Sequence, residues 1–201
     1  MKRLIRLTTL VLALALLATG CQKQQKFTVS GTLWDAGFPT SAESIAIVSD
    51  AIDTPFEAVV EGDAFQIKGA VKKPVLAQLK ASGQERLSKQ FILEEGAILF
   101  KDGSACGTPL NDAILQFSND ITKVLRESNQ NLEDSEEALE NTFFSFVAEH
   151  KDDPCAIFAI LKGVTFLTPE AVVRLIGTAS SAVQQDATVI AWKERMQHLA
   201  E

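Results

Sequence analysis

The sequence predicts an α+β protein, a small antiparallel β-sandwich or barrel followed by an all-helical subdomain. Three observations predict it. Apolar residues alternate with polar ones from Phe27 to Phe100, the period of half-buried strands. Beyond about residue 105 they recur every three to four residues, the period of amphipathic helices. Thr108-Pro109, Asp153-Pro154 and Thr168-Pro169 each read as a helix start, because proline at the first helical position lacks only an N–H that has no partner there. Strands followed by helices is the α+β order.

Taken in order, the strands centre on Phe27, Val29 and Leu33, then Ile45 and Ile47, then Phe56, Ala58 and Val60. Phe65 and Ile67 follow, then Val75, Ala77 and Leu79, then Phe91 and Leu93, and last Ile98 and Phe100. Glu61-Gly62-Asp63, Lys73-Pro74, Ser82-Gly83 and Glu95-Gly96 separate them as turns. The spacing predicts one hairpin across Gly62 and another across Gly96.

The helices start near 109, 154 and 169, with a further one over about 133–149. Leu110, Ala113, Ile114, Phe117, Ile121, Val124 and Leu125 share one face of the first. Gly177 reads as a helix C-cap and Asp186 as the N-cap of a last helix.

Ahead of all this stands an address. Lys2, Arg3 and Arg6 precede an apolar run from Leu10 to Ala18, and Thr19-Gly20-Cys21 closes it. This is the layout of a secretory signal peptide, and the run is shorter than the ~20 residues a membrane span needs. A cysteine directly after small residues is the arrangement of a bacterial lipobox, although Ala18 stands where leucine is usual. Cleavage before Cys21 and a diacylglycerol on its thiol would leave a stable anchor. The expected organisation is a leader over 1–20, a tether over 21–25, a sandwich over 26–104 and a helical subdomain packed on it over 105–201. The expected place is the cell envelope of a Gram-negative bacterium, at the outer membrane and facing the periplasm.

Charge narrows the partners. Removing 1–20 leaves 16 basic residues against 26 acidic ones. A nucleic-acid binder carries the opposite balance, so no nucleic-acid partner is expected. The membrane is met through the lipid.

The opening Phe27-Thr28-Val29-Ser30-Gly31-Thr32-Leu33, the segment Val60-Glu61-Gly62-Asp63-Ala64-Phe65-Gln66-Ile67-Lys68-Gly69, the segment Phe91-Ile92-Leu93-Glu94-Glu95-Gly96-Ala97-Ile98, the run Gly107-Thr108-Pro109-Leu110-Asn111 and the later Leu167-Thr168-Pro169-Glu170 together resemble a known arrangement. It is the domain of unknown function found N-terminal to the thioredoxin fold in TlpA/ResA-like envelope lipoproteins. The resemblance runs over about 27–200. It implies a partner of thioredoxin fold, or that partner's substrate. The thioredoxin half's Trp-Cys-x-x-Cys occurs nowhere in the 201 residues, so that half's activity is not carried over.

The chemistry-bearing candidates are few, and no catalytic residue or metal site is expected. Cys106 and Cys155 lie close to two predicted helix starts, where a thiol's pKa falls. They read as a disulfide, as reactive thiols, or most plainly as small buried apolar residues. His150, Asp152, Asp153 and Cys155 are zinc-ligand types, but their spacing matches no closed site and Asp153 is needed as a cap. Glu94 and Glu95 read as a turn. Glu133, Asp134, Glu136, Glu137 and Glu140 read as a solvated helix start. Trp34 and Phe38, either side of Gly37, are candidate exposed aromatics for a peptide or glycan. The expected function is a non-catalytic binding or accessory lipoprotein without a cofactor beyond the lipid on Cys21. The alternatives are a thiol redox protein using Cys106 and Cys155, and a peptide- or glycan-binding module.

Overall fold

The alternating pattern folds into two stacked sheets, and the helical pattern into a layer against one of them. The structure is a computed structural model that describes residues 24–127 and 132–200, with backbone only for 132–134. The strands are β1 (Gln25–Thr32), β2 (Ser44–Val48), β3 (Phe56–Val59), β4 (Ala64–Val71), β5 (Val75–Ala81), β6 (Ser88–Leu93), β7 (Gly96–Lys101) and β8 (Ser104–Cys106). The helices are α1 (Pro109–Glu127), α2 (Leu132–Glu149), α3 (Pro154–Phe166), α4 (Pro169–Thr178), α5 (Ser181–Gln184) and α6 (Ala187–Ala200). The α+β class, strands before helices, is as the sequence predicts, and the sheets do not close into a barrel. The first sheet runs β4-β1-β7-β8 and the second β3-β2-β5-β6.

Both predicted hairpins are corrected. The β3 strand pairs with β2 in the second sheet, whereas β4 pairs with β1 in the first. Only a single bridge, Glu61 to Ala64, joins the turn between them. Likewise β6 pairs with β5, and β7 with β1 and β8. In each case the chain crosses from one sheet to the other at the turn. Alternation says which face of a strand is buried. It does not say whether the next strand lies beside it or opposite it. At the second crossing Gly96 adopts φ 123°, open to glycine at little cost. The chain therefore enters β7 at the end where β1 begins, and the β1–β7 pair is parallel.

The core between the sheets holds Val29, Ile45, Ile47, Leu79, Phe91, Ile98 and Phe100. Phe91 and Phe100 meet edge to face at 5.3 Å, and Phe27 and Phe56 do so at 5.0 Å. Full burial of such a ring contributes roughly 1.5–3 kcal/mol, and of the four only Phe56 is partly buried. A second core lies between the second sheet and the helices. Ile92 enters it from the outer face of β6 and meets a cluster that includes Phe117, Phe143, Ile160 and Leu175. The unbroken apolar run Phe91-Ile92-Leu93 thus marks a strand buried on both faces.

The caps follow the sequence closely. Asp153 Oδ1 accepts from the Cys155 N–H at 2.8 Å, and Thr168 Oγ1 accepts from the Ala171 N–H at 3.2 Å. Asp186 Oδ1 accepts from Thr188 and Val189. Gly177 is instead inside α4, whose C-cap is Ala179. The boundary placed at 104/105 falls within β8.

One joint was not legible as such. Glu94 is buried, and its Oε1 accepts from the N–H groups of Leu110 and Asn111 at the start of α1. Asn111 is fully buried and exchanges two hydrogen bonds with the Ile92 backbone, at 3.0 and 2.7 Å. Thr108 occupies the expected cap position, but its hydroxyl takes the Asn111 side-chain amide. The carboxylate from the sheet supplies the cap, and its charge suits the helix N-terminus.

Candidate cleft between the second sheet and the helices

The helices cover only part of the second sheet. Leu76 and Ile92 on its outer face pack into the helical core. Further along the same face, Gln78 and Gln90 stand opposite one another across β5 and β6, followed by Lys80. This polar stretch is the floor of a cleft of about 630 Å³. Pro154, Ile157 and Leu161 of α3 form an apolar wall, and Asp152, Asp153, Val183 and Asp186 close one side. Asp50 and Lys73 stand where the chain leaves β2 and enters β5. Mixed apolar walls with a few polar groups are the usual make-up of a ligand site.

At the cleft's edge the fold gathers His150, Asp153 and Cys155, whose candidate ligand atoms lie within 4.8 Å of one another. Every one of these groups is engaged. His150 Nδ1 lies 2.9 Å from Asp153 Oδ2, and its ring packs on Phe146 at 4.5 Å. The other Asp153 oxygen caps α3. The Cys155 thiol donates to the Leu110 carbonyl at 3.6 Å. A zinc ion could draw on the nitrogen, oxygen and sulfur donors only by displacing the pair that holds α2's end to α3's start. The arrangement is a joint between two helices.

Of the readings open for Cys155, its burial favours the small apolar residue over the reactive thiol. Burial pushes its thiol well above the ordinary range, and the charge and hydrogen bonding of Asp153, with Glu94 beyond, push the same way. The helix start favours the thiolate, but here burial and the two carboxylates outweigh it. Cys106 is half-buried on β8 and donates to the Leu99 carbonyl at 3.4 Å. Both cysteines are free thiols.

Trp34 is exposed, at 78%, as expected of a binding aromatic. Phe38 is not, and that expectation is corrected: it is 3% exposed and belongs to the core between the sheets. Thr32 and Asp35 form a reciprocal cap, with the Asp35 N–H on Thr32 Oγ1 and the Thr32 hydroxyl on Asp35 Oδ2. The Phe38 N–H then returns to the Leu33 carbonyl, and that of Gly37 to the Trp34 carbonyl, with Gly37 at φ 72°. This is a Schellman closure, which brings Leu33 and Phe38 together inside and leaves Trp34 outside. Thr-x-x-Asp followed by glycine was the available signal. Glu140 of the acidic cluster pairs with Arg174 at 2.7 Å, and Glu136 and Glu137 are exposed. Cys21 and the side chains of Glu133 and Asp134 lie outside the described residues.

Comparison with known proteins finds no family model, no curated protein and no solved structure that matches this chain significantly. Among the described residues no helix is long and apolar enough to cross a membrane.

Proposed function

We propose that this chain is a membrane-anchored envelope lipoprotein that serves as a non-catalytic binding or accessory domain, with the cleft on the second sheet as its contact site. The observation that carries the binding role is the set of charges left unpaired there. Asp50, Lys73, Lys80 and Asp152 line the cleft, and none forms an ion pair or side-chain hydrogen bond among the described residues. Lys80 on the floor with Asp50 and Asp152 beside it gives a partner complementary, directional contacts. The anchor is supported by the basic start, the apolar run and Cys21 directly after Gly20. The outer membrane, facing the periplasm, is the location this reading assigns. The neutral, buried Cys155 supports a binding role over thiol redox chemistry. The resemblance of the sequence segments supports a partner of thioredoxin fold on another chain, or that partner's substrate. The exposed Trp34 favours one second reading, a peptide or glycan contact at the opposite end of β1.

The test is a photoreactive residue at Lys80 in the full lipidated protein, irradiated in its own envelope. The account expects a discrete partner of thioredoxin fold, or its substrate, whose capture is lost in Asp50→Lys with Asp152→Lys. Capture of bulk lipoproteins alone, unchanged by those substitutions, overturns it.

A further inference from the structure

We infer that the end of the sandwich where β1 begins lies against the bilayer, with Lys26, Lys72 and Lys73 on anionic lipid headgroups. This rests on the anchoring proposed above and adds the orientation of the body on the membrane. Cys21 lies close to β1 along the chain. Only three residues, Gln22, Lys23 and Gln24, separate Cys21 from the first residue of β1. A fully extended chain spans at most ~3.6 Å per residue, so Gln25 stays within about 14 Å of the lipidated cysteine.

The register says what else is at that end. Gln25 stands opposite Val71 and Lys26 opposite Ala70. Lys72 and Lys73 follow Val71 directly, and both are exposed, as is Lys26. The three-residue link over 72–74 also brings the start of β5 to this end. Three lysines thus surround the point where the tether enters a body that is acidic as a whole. Glu95 stands beside the start of β7, and Asp50 and Asp152 share the cleft lining with Lys73. Next to the tether the three lysines thus share the surface with Glu95, which lies beside Lys26, and the lysines are the groups that an anionic headgroup can pair with. A basic side chain near an anionic bilayer surface gains about a fivefold preference for it.

The same register fixes what faces away. Trp34 lies beyond the far end of β1, roughly 25 Å along the strand direction from Gln25. There the Leu33 N–H bonds to Asp63 and the Gly103 N–H to Asp35, so the far turns cluster around it. Trp34 therefore points into the periplasmic space. The cleft, which begins at Asp50 and Lys73, opens near the membrane.

The experiment places a photoreactive residue at position 72 or at position 34 of the full lipidated protein. Each form is reconstituted in phosphatidylcholine vesicles with and without phosphatidylglycerol. Lipid adducts are counted by mass spectrometry, together with the mass of the N-terminal peptide. The expected result is adducts at 72 at several times the yield at 34, falling several-fold without phosphatidylglycerol or in Lys26→Glu with Lys73→Glu. Equal yields at the two positions, with Cys21 shown to be lipidated, overturn the orientation. Yields at 72 indifferent to lipid charge and to the lysine substitutions overturn the headgroup contact. An N-terminal peptide without lipid overturns the anchor and the orientation with it.

Discussion

Glu94 and Asn111 are polar residues placed where the sheet meets the helices, and the cost of losing them follows from burial. Asn111 serves the N–H and the carbonyl of Ile92 with one amide. Asn111→Leu leaves both buried and unsatisfied, which costs roughly 2–4 kcal/mol. Urea unfolding should show a lower midpoint at an unchanged slope. Glu94→Gln keeps an acceptor at the start of α1 and should cost about 1 kcal/mol. Two equal losses would count against the amide as the centre of the joint. Glu94 reads as a turn residue in the sequence because its partners, Leu110 and Asn111, are 16 and 17 positions away. Cys155 yields a pH prediction. Its folded-state pKa is raised above the ordinary 9.0, first by burial and then by Asp153. The unfolded chain releases that proton above pH 9.0 and the folded chain keeps it. Stability is thus unaffected below that pH and declines as pH rises past it. Cys155→Ala should flatten the alkaline decline in urea midpoint, and an unchanged decline would place its cause elsewhere. Iodoacetamide on the native protein should modify Cys106 well before Cys155, with Cys155 reacting only in denaturant.

The elements were legible where their signals are local. Pro109, Pro154 and Pro169 each open a helix, because the chemistry of a first turn is contained in a few residues. Strand positions were legible for the same reason, since alternation needs only the strand and one buried face. Pairing was not. The strands β3 and β4 follow one another across Gly62 yet join different sheets, a choice set by distant partners. β8 is three residues long, too short to show a period. Phe38 shows the intermediate case, because the local signal at Thr32, Asp35 and Gly37 sends it inward. Gly69 tests the packing of β4 over the sandwich. A Cβ there would lie 2.5 Å from the Phe27 ring and 2.6 Å from that of Phe56. Gly69→Ala must push apart an edge-to-face pair and should cost about 1–3 kcal/mol. A neutral result in thermal unfolding would mean the two rings move freely.

At the scale of the whole molecule, the candidate site is a consequence of incomplete coverage. The helical layer seals Ile92, covers part of Leu76, and leaves Gln78, Gln90 and Lys80 on the same sheet face open. Few of those residues stood out in the sequence. Asp50, Lys73, Gln78 and Lys80 are ordinary surface residues until the helices build a wall beside them. The residues that did stand out, Cys155, Asp153 and His150, are occupied in holding α2 to α3. Asp50→Lys with Asp152→Lys should leave the stability within about 0.5 kcal/mol of the parent, as surface changes do, while lowering partner capture. A loss of fold would mean that these aspartates have structural partners. The whole account depends on the chain being tethered at Cys21. The measurement that tests this most directly is the mass of the N-terminal peptide of the protein isolated from its own membranes. The account predicts a chain that begins at Cys21 with a diacylglycerol on its sulfur. A chain that begins elsewhere, or an unmodified Cys21, would contradict it.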